Sequence, residues 1–200
     1  SARIQIHGTI NPSGEYIVYW MTAARRPHWN HALEHSIELA KEHNLPLVVI
    51  ESLALQHKWA NDRISTFVLQ GMLDNRDTFA KTGVTYIPYI ETKRKEASGL
   101  LKAWIHRAKI CIIDDYPTYY PKHVLTTALK IKPCEIRVVD SNGFMAMRAQ
   151  GRAFSTAYSL RRHLHKTIRE HMYDFPSARP LEQAIELPQL PEHIVSEIFN

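Results

Sequence analysis

Five short runs of apolar and β-branched residues punctuate the chain, and between them apolar positions recur every three or four residues. The first run, Tyr16-Ile17-Val18-Tyr19-Trp20-Met21, lies between the turn-forming Asn11-Pro12-Ser13-Gly14 and the basic Arg25-Arg26-Pro27. An apolar run without polar alternation suits a central parallel strand covered on both faces. Behind it Trp29, Ala32, Leu33, Ile37 and Ala40 recur at helical spacing, with Asn44 as a stop signal. Leu47-Val48-Val49-Ile50 is a second strand. Residues 62–81 form a long helix through Ile64, Phe67, Val68, Met72, Leu73 and Phe79, closed by Gly83. Val84 to Ile90 is a third strand, moved to a sheet edge by its internal Pro88. Leu100 to Arg107 is a short helix, Ala108 to Ile113 a fourth strand, Pro121 to Ile131 a helix with proline in its first turn, and Glu135 to Val139 a fifth strand.

Strands alternating with helices predict an α/β fold: a Rossmann-like, doubly wound, five-stranded parallel sheet in the order 3-2-1-4-5, helices on both faces, plus a C-terminal extension. The expected division has residues 1–14 as an N-terminal extension and 15–151 as the α/β domain. Residues 152–173 are a basic amphipathic helix packing on it, with Ala157, Leu160, Leu164, Ile168 and Met172 on one side and Arg161, Arg162, His163, His165, Lys166 and Arg169 on the others. Residues 174–200 read as a proline-dotted linker and the start of a further helical domain.

A sheet of this order binds ligands beyond the C-terminal ends of its strands, at the point where the strand order reverses. That places the loop after Met21, with Arg25 and Arg26, opposite Asp114-Asp115 at the end of the fourth strand. A ligand contact competes there with a structural reading, in which Asp114 caps a turn or pairs with a loop arginine. Asp140-Ser141-Asn142 is divided in the same way, because such residues at strand ends often bond their own backbone.

Composition narrows the function classes. Of 200 residues, 44% are hydrophobic, as in an ordinary globular chain. No window approaches the roughly 18 consecutive apolar residues of a membrane helix, and the start lacks a signal-peptide core, so a cytoplasmic address without a membrane partner is expected. A net charge of +5 permits a polyanionic partner without naming one. Cys111 and Cys134 offer neither a disulfide framework nor a zinc spacing. His28, His31 and His35 could face one way, but no carboxylate or cysteine completes a metal set, and none is expected. GxGxxG after a strand, GxxxxGK[ST] and Gly-x-Ser-x-Gly are all missing, which removes the common dinucleotide, P-loop and α/β-hydrolase readings. Tyr16, Tyr19, Trp20, Trp29, Trp59 and Trp104 read mostly as core. The charged patch Glu91-Thr92-Lys93-Arg94-Lys95-Glu96 reads as a solvated loop or an anion contact, and the basic helix either as a solvated face or as a track for phosphates.

The order of motifs resembles the N-terminal α/β domain of the DNA photolyase/cryptochrome family, class II photolyases most of all. The resemblance runs through Tyr16 to Met21, Arg26, Asn30-His31-Ala32-Leu33, Leu45-Pro46-Leu47, and Arg63 to Gly71. It continues through Asp114-Asp115-Tyr116-Pro117, Val138-Val139-Asp140-Ser141-Asn142 and Tyr158-Ser159-Leu160-Arg161-Arg162. Where the family carries a charged cluster after the methionine, this chain has Thr22-Ala23-Ala24-Arg25. The resemblance implies a parent flavoprotein that splits pyrimidine dimers in DNA by light-driven electron transfer from FAD held in a C-terminal helical domain. This part would then be inactive alone, with no catalytic residue of its own. It would serve as scaffold and, as in some members, as a site for an antenna, 8-hydroxydeazaflavin or methenyltetrahydrofolate. Met21, Thr22, Arg25, Arg26, Asp114 and Tyr116 are the implied cofactor-binding residues. The alternatives are a stand-alone α/β nucleotide- or cofactor-binding module, a fragment of a cryptochrome photoreceptor, and a nucleic-acid-binding domain resting on the basic helix alone.

Overall fold

The computed structural model describes residues 2–199. Its strands are β1 (Ile4–His7), β2 (Tyr16–Met21), β3 (Leu47–Ala54), β4 (Thr85–Glu91), β5 (Ala108–Asp114) and β6 (Glu135–Val139). Its helices are α1 (His31–His43), α2 (Asp62–Phe79), α3 (Leu100–Arg107), α4 (Tyr119–Ile131), α5 (Ala157–His171) and α6 (Glu192–Phe199). The sheet order is β1-β6-β5-β2-β3-β4. The five strands expected from the sequence therefore lie in the expected order, all parallel, with Pro88 on the edge strand β4.

Strand β2 explains the layering. All six of its residues are buried, and they alternate between two cores. Tyr16, Val18 and Trp20 pack with Trp104 and Ile105 of α3 and Val124 and Ala128 of α4. Ile17, Tyr19 and Met21 pack with Leu33 and Ile37 of α1 and Phe79 of α2. A strand with apolar side chains on both faces must be covered on both, which fixes the three layers. Helix α1 begins where the Asn30 side chain accepts from the Leu33 N–H at 3.0 Å and ends at Asn44, left-handed at φ 50°.

Two expectations are corrected. Residues 3–15 contain a sixth strand, since Ile4–His7 pairs antiparallel with β6 and makes the sheet mixed. An edge strand needs only backbone partners, and alternation as brief as that of Ile4–His7 does not separate a strand from an extended loop. In α2 only Met72, Asn75 and Phe79 are buried; Ile64, Phe67 and Leu73 are at least half exposed. The helix also ends at Phe79, before Gly83. No residue of α5 is buried, so that helix rests on the domain without entering either core.

The proline-dotted stretch after residue 173 folds back over the domain as a strap. Leu181, Ala184 and Leu187 join the core under α1, and Leu190 and Ile194 join the opposite one. Gly83 shows where the strap crosses: its N–H donates to the Ala184 carbonyl at 3.0 Å. A Cβ there would lie 2.8 Å from that oxygen and 2.9 Å from the Leu187 carbonyl oxygen. The glycine is required for close approach of two backbones. Farther on, Phe199 of α6 meets the rings of Tyr89 and Trp104, and Arg107 bonds Glu15 and Glu197, each at 2.6 Å. The Arg107 contacts lie by the N-terminal ends of β2 and β5, away from the crevice.

Candidate functional site

Strand order reverses between β2 and β5, whose chains leave for opposite faces, α1 on one and α4 on the other. The crevice at their C-terminal ends is where this architecture takes ligands. It is built around Asp114, the last residue of β5 and 1% exposed. One carboxylate oxygen accepts the Tyr19 hydroxyl at 2.7 Å. The other accepts the backbone N–H groups of Thr22, Ala23 and Ala24 at 2.8, 2.7 and 3.1 Å. Three successive amides turned toward one point make an anion-binding nest, and here the chain's own carboxylate occupies it. Burial, then the Asp114 charge, drives the Tyr19 phenol well above its ordinary range, so it stays a donor.

Asn30 locks the loop from below. While its oxygen caps α1, its amide donates to the carbonyls of Ala24 and Arg26 at 2.9 and 3.0 Å. On the β6 side, Ser141 Oγ accepts the Ala32 N–H at 3.2 Å. Asp140 accepts the N–H groups of Asn142 and Met147 at 2.8 and 2.6 Å. Asp115 holds the Arg148 guanidinium at 2.9 Å. What remains open between Ala23, Ala24, Arg26, Asp115 and Ser141 is about 40 Å³. That is room for a few waters, not for a fused ring system.

The residues implied as cofactor ligands therefore divide. Met21 and Thr22 are buried, and Asp114 is committed to the loop. Arg25 turns away from the crevice, donating to Glu51 at 3.1 Å and to the Ser52 carbonyl at 2.7 Å. Arg26 lines the crevice, is exposed and donates to the Trp29 carbonyl at 3.0 Å. Tyr116 is 39% exposed beside β5. As arranged, these side chains do not fit a deazaflavin or a pterin. His28, His31 and His35 hold separate posts: His28 Nδ1 meets the Ala178 carbonyl at 3.1 Å, and His35 lies between Glu38 and Arg137. Burial lowers the pKa of both His31 and His35. It pushes the Cys134 thiol up to about 12 and Cys111 well above its usual value, which leaves both thiols un-ionised and inert.

Two residues that organise this end of the sheet carried no signal in the motifs. Arg3, 3% exposed, donates to the carbonyls of Asp140 and Phe144 at 3.2 and 2.9 Å and to Asp174 at 2.9 Å, tying β1, the loop after β6 and the strap together. Glu51, 1% exposed in β3, gathers Arg25, Asn75 at 2.9 Å and the Tyr86 hydroxyl at 2.6 Å. A single carboxylate straight after Leu47–Ile50 was the visible clue to it.

Among known proteins, no family model matches the chain. A deoxyribodipyrimidine photo-lyase from Methanothermobacter thermautotrophicus is 25% identical over 200 residues, covering 94% of this chain and 44% of that protein. The chain thus spans less than half of its relative's length. Solved structures with some likeness include a universal stress protein family member from Burkholderia pseudomallei, with TM-score 0.42, 18% identity, and 64% of this chain and 98% of that one covered. Another is a universal stress protein from Archaeoglobus fulgidus, with TM-score 0.35, 14% identity, and coverage of 63% and 44%. Likeness at that level adds nothing to the sheet order already described. By sequence, the chain is a distant relative of a photo-lyase, matched along nearly all of its length.

Proposed function

We propose that the chain is the N-terminal α/β domain of a photolyase-like flavoprotein and serves it as a scaffold. The observation that carries this reading is the photo-lyase match, which extends over 94% of this chain rather than one motif. In the parent, a helical domain would hold FAD, and the reduced flavin would supply the electron that splits a pyrimidine dimer in DNA under light. The cofactor brings that chemistry and the protein brings position. This chain's own residues contribute rigidity: two cores on one sheet, a loop pinned by Asp114, and a strap folded across both layers. The self-filled crevice supports a scaffold over a stand-alone module for a ring-sized cofactor.

The test is light-dependent repair by the whole natural protein that carries this chain, with its flavin reduced. Loss of dimers from an irradiated oligonucleotide under blue light, and none in the dark, is the expected result. A protein that binds flavin yet leaves the dimers intact is a cryptochrome-type photoreceptor, and one that binds no flavin ends the reading altogether. The 200-residue chain by itself is expected to repair nothing.

A further inference from the structure

Away from the crevice, a cleft of about 270 Å³ opens on α5, lined by Arg152, Tyr158, Ser159, Arg162, His163 and Lys166. Every charged group on its wall is cationic or can become so. Among the described residues, neither Arg152, Arg162 nor Lys166 has a carboxylate within 4 Å. The arginines that organise the fold, Arg3, Arg25, Arg107, Arg137 and Arg148, are each ion-paired, whereas these cations, like the scattered Arg26, Arg63 and Arg94, are not, and only here among the described residues do three of them line one cleft. The helix's own carboxylate, Glu170, stands in its last turn and forms no ion pair among the described residues. Gathering like charges without a counter-ion raises the energy of the bare surface, and an anion seated among them lowers it.

Two aromatic rings organise the cations. The Arg152 guanidinium lies 4.9 Å from the Phe154 ring centroid and that of Arg162 5.9 Å from the Tyr158 centroid, which limits their freedom at little cost. Tyr158 itself is 64% exposed, so its ring offers a flat apolar surface beside the cations. Cations next to an open aromatic face are the pairing that takes a phosphate together with a stacked base. The positive row also continues beyond the cleft. Arg162, Lys166 and Arg169 follow one another at helical spacing over roughly 10 Å, longer than one phosphate group, with Arg161 and His165 alongside.

We propose that the cleft and cationic face of α5 bind a single nucleic-acid strand, with phosphates on Arg152, Arg162 and Lys166 and a base on Tyr158. The site lies on the chain itself and does not depend on the photolyase reading. Failed repair by the full protein leaves it standing, and its failure leaves that reading untouched.

The test is fluorescence anisotropy of a labelled single-stranded oligodeoxynucleotide titrated with the 200-residue chain at several salt concentrations. All the substituted side chains are exposed, so folding is expected to survive, and circular dichroism checks it. Three phosphate contacts contribute a slope of about 2 in log affinity against log salt, or about a 16-fold loss for a fourfold rise in salt. The variant Arg152→Ala/Arg162→Ala/Lys166→Ala is expected to lose that share of the slope, and Tyr158→Ala to bind at least about fivefold more weakly through lost stacking. The variant Lys93→Ala/Arg94→Ala/Lys95→Ala removes the same charge from another loop and is expected to bind like the wild type. Equal losses in the two triple variants reduce the effect to net charge and overturn the site. So does an unchanged Arg152/Arg162/Lys166 variant. Displacement of the strand by inorganic phosphate or a mononucleotide at the strand's own concentration overturns the assignment to a strand.

Discussion

Replacing Asp114 with asparagine is expected to loosen the whole C-terminal end of the sheet without changing its shape. In the wild type one carboxylate oxygen receives three backbone N–H groups and the other the Tyr19 hydroxyl. Asparagine keeps one acceptor oxygen, which can stay with the three amides, while its NH₂ can donate to the Tyr19 oxygen. The three amides remain satisfied, but the buried Tyr19 hydroxyl loses its acceptor, and the amides lose charge assistance. Hydrogen bonds to an ionised acceptor are about twice as strong as neutral ones, a difference of about 1 kcal/mol each. Three such bonds put the cost of Asp114→Asn at about 3 kcal/mol, a large share of the roughly 5–15 kcal/mol that keeps a domain folded. Asp114→Ala strands three buried amides at about 1–3 kcal/mol apiece and is expected to prevent folding. Urea unfolding followed by tryptophan fluorescence and circular dichroism is the assay. With a slope of about 2 kcal/mol per molar, the midpoint for Asp114→Asn falls by about 1.5 M. A loss under about 1 kcal/mol at unchanged slope refutes the claim that the carboxylate charge pins this loop, because neutral hydrogen bonding alone would then suffice.

Other expectations follow from single contacts. Gly83→Ala pushes a methyl group against the Ala184 and Leu187 carbonyls; it is expected to cost about 1–3 kcal/mol and to make the chain between Pro180 and Leu190 an early site in limited proteolysis. Arg3→Met removes the donors that hold the loop after β6 to the strap. A loss of about 1–3 kcal/mol, measured by urea unfolding, fits leaving the Asp140 and Phe144 carbonyls without their donor, since the half-exposed Asp174 is solvated once Arg3 is gone. Acidification is expected to destabilise the protein below pH 6.5. Because burial holds His31 and His35 below that ordinary value, the unfolded chain takes up protons that the folded chain refuses, and stability falls until the lower folded pKa is passed. In His35→Gln the amide oxygen can still accept from Arg137, so thermal melts at pH 7.5 and 5.5 should differ less than in the wild type.

The sheet was readable in the sequence wherever a short window held enough information. Six consecutive apolar residues made β2, Asn44 closed α1, and Pro88 placed β4 at an edge, each through local chemistry. Strand β1 and the strap were not readable, because their stability comes from distant partners. Arg3 bonds carbonyls more than a hundred residues away, and Leu181, Ala184 and Leu187 find their core only once α1 is in place. At the crevice the sequence located Asp114 but left it open between ligand contact and structural anchor. Its partners are mainly backbone amides, which every residue carries, so no side-chain motif marks them. Arg25 looked available because its acceptor Glu51 lies 26 residues on in another strand.

The claim that the crevice is closed by the chain itself is tested most directly by offering it a chromophore. The purified chain is titrated with 8-hydroxydeazaflavin and with methenyltetrahydrofolate, and binding is followed by their absorbance and fluorescence in the near ultraviolet and blue. The account predicts no saturable change with either, because a cleft of about 40 Å³ beside a committed Asp114 has no room for their rings. Stoichiometric binding that Arg26→Ala weakens would contradict it, and would show that the loop from Thr22 to Arg26 opens and releases Asp114.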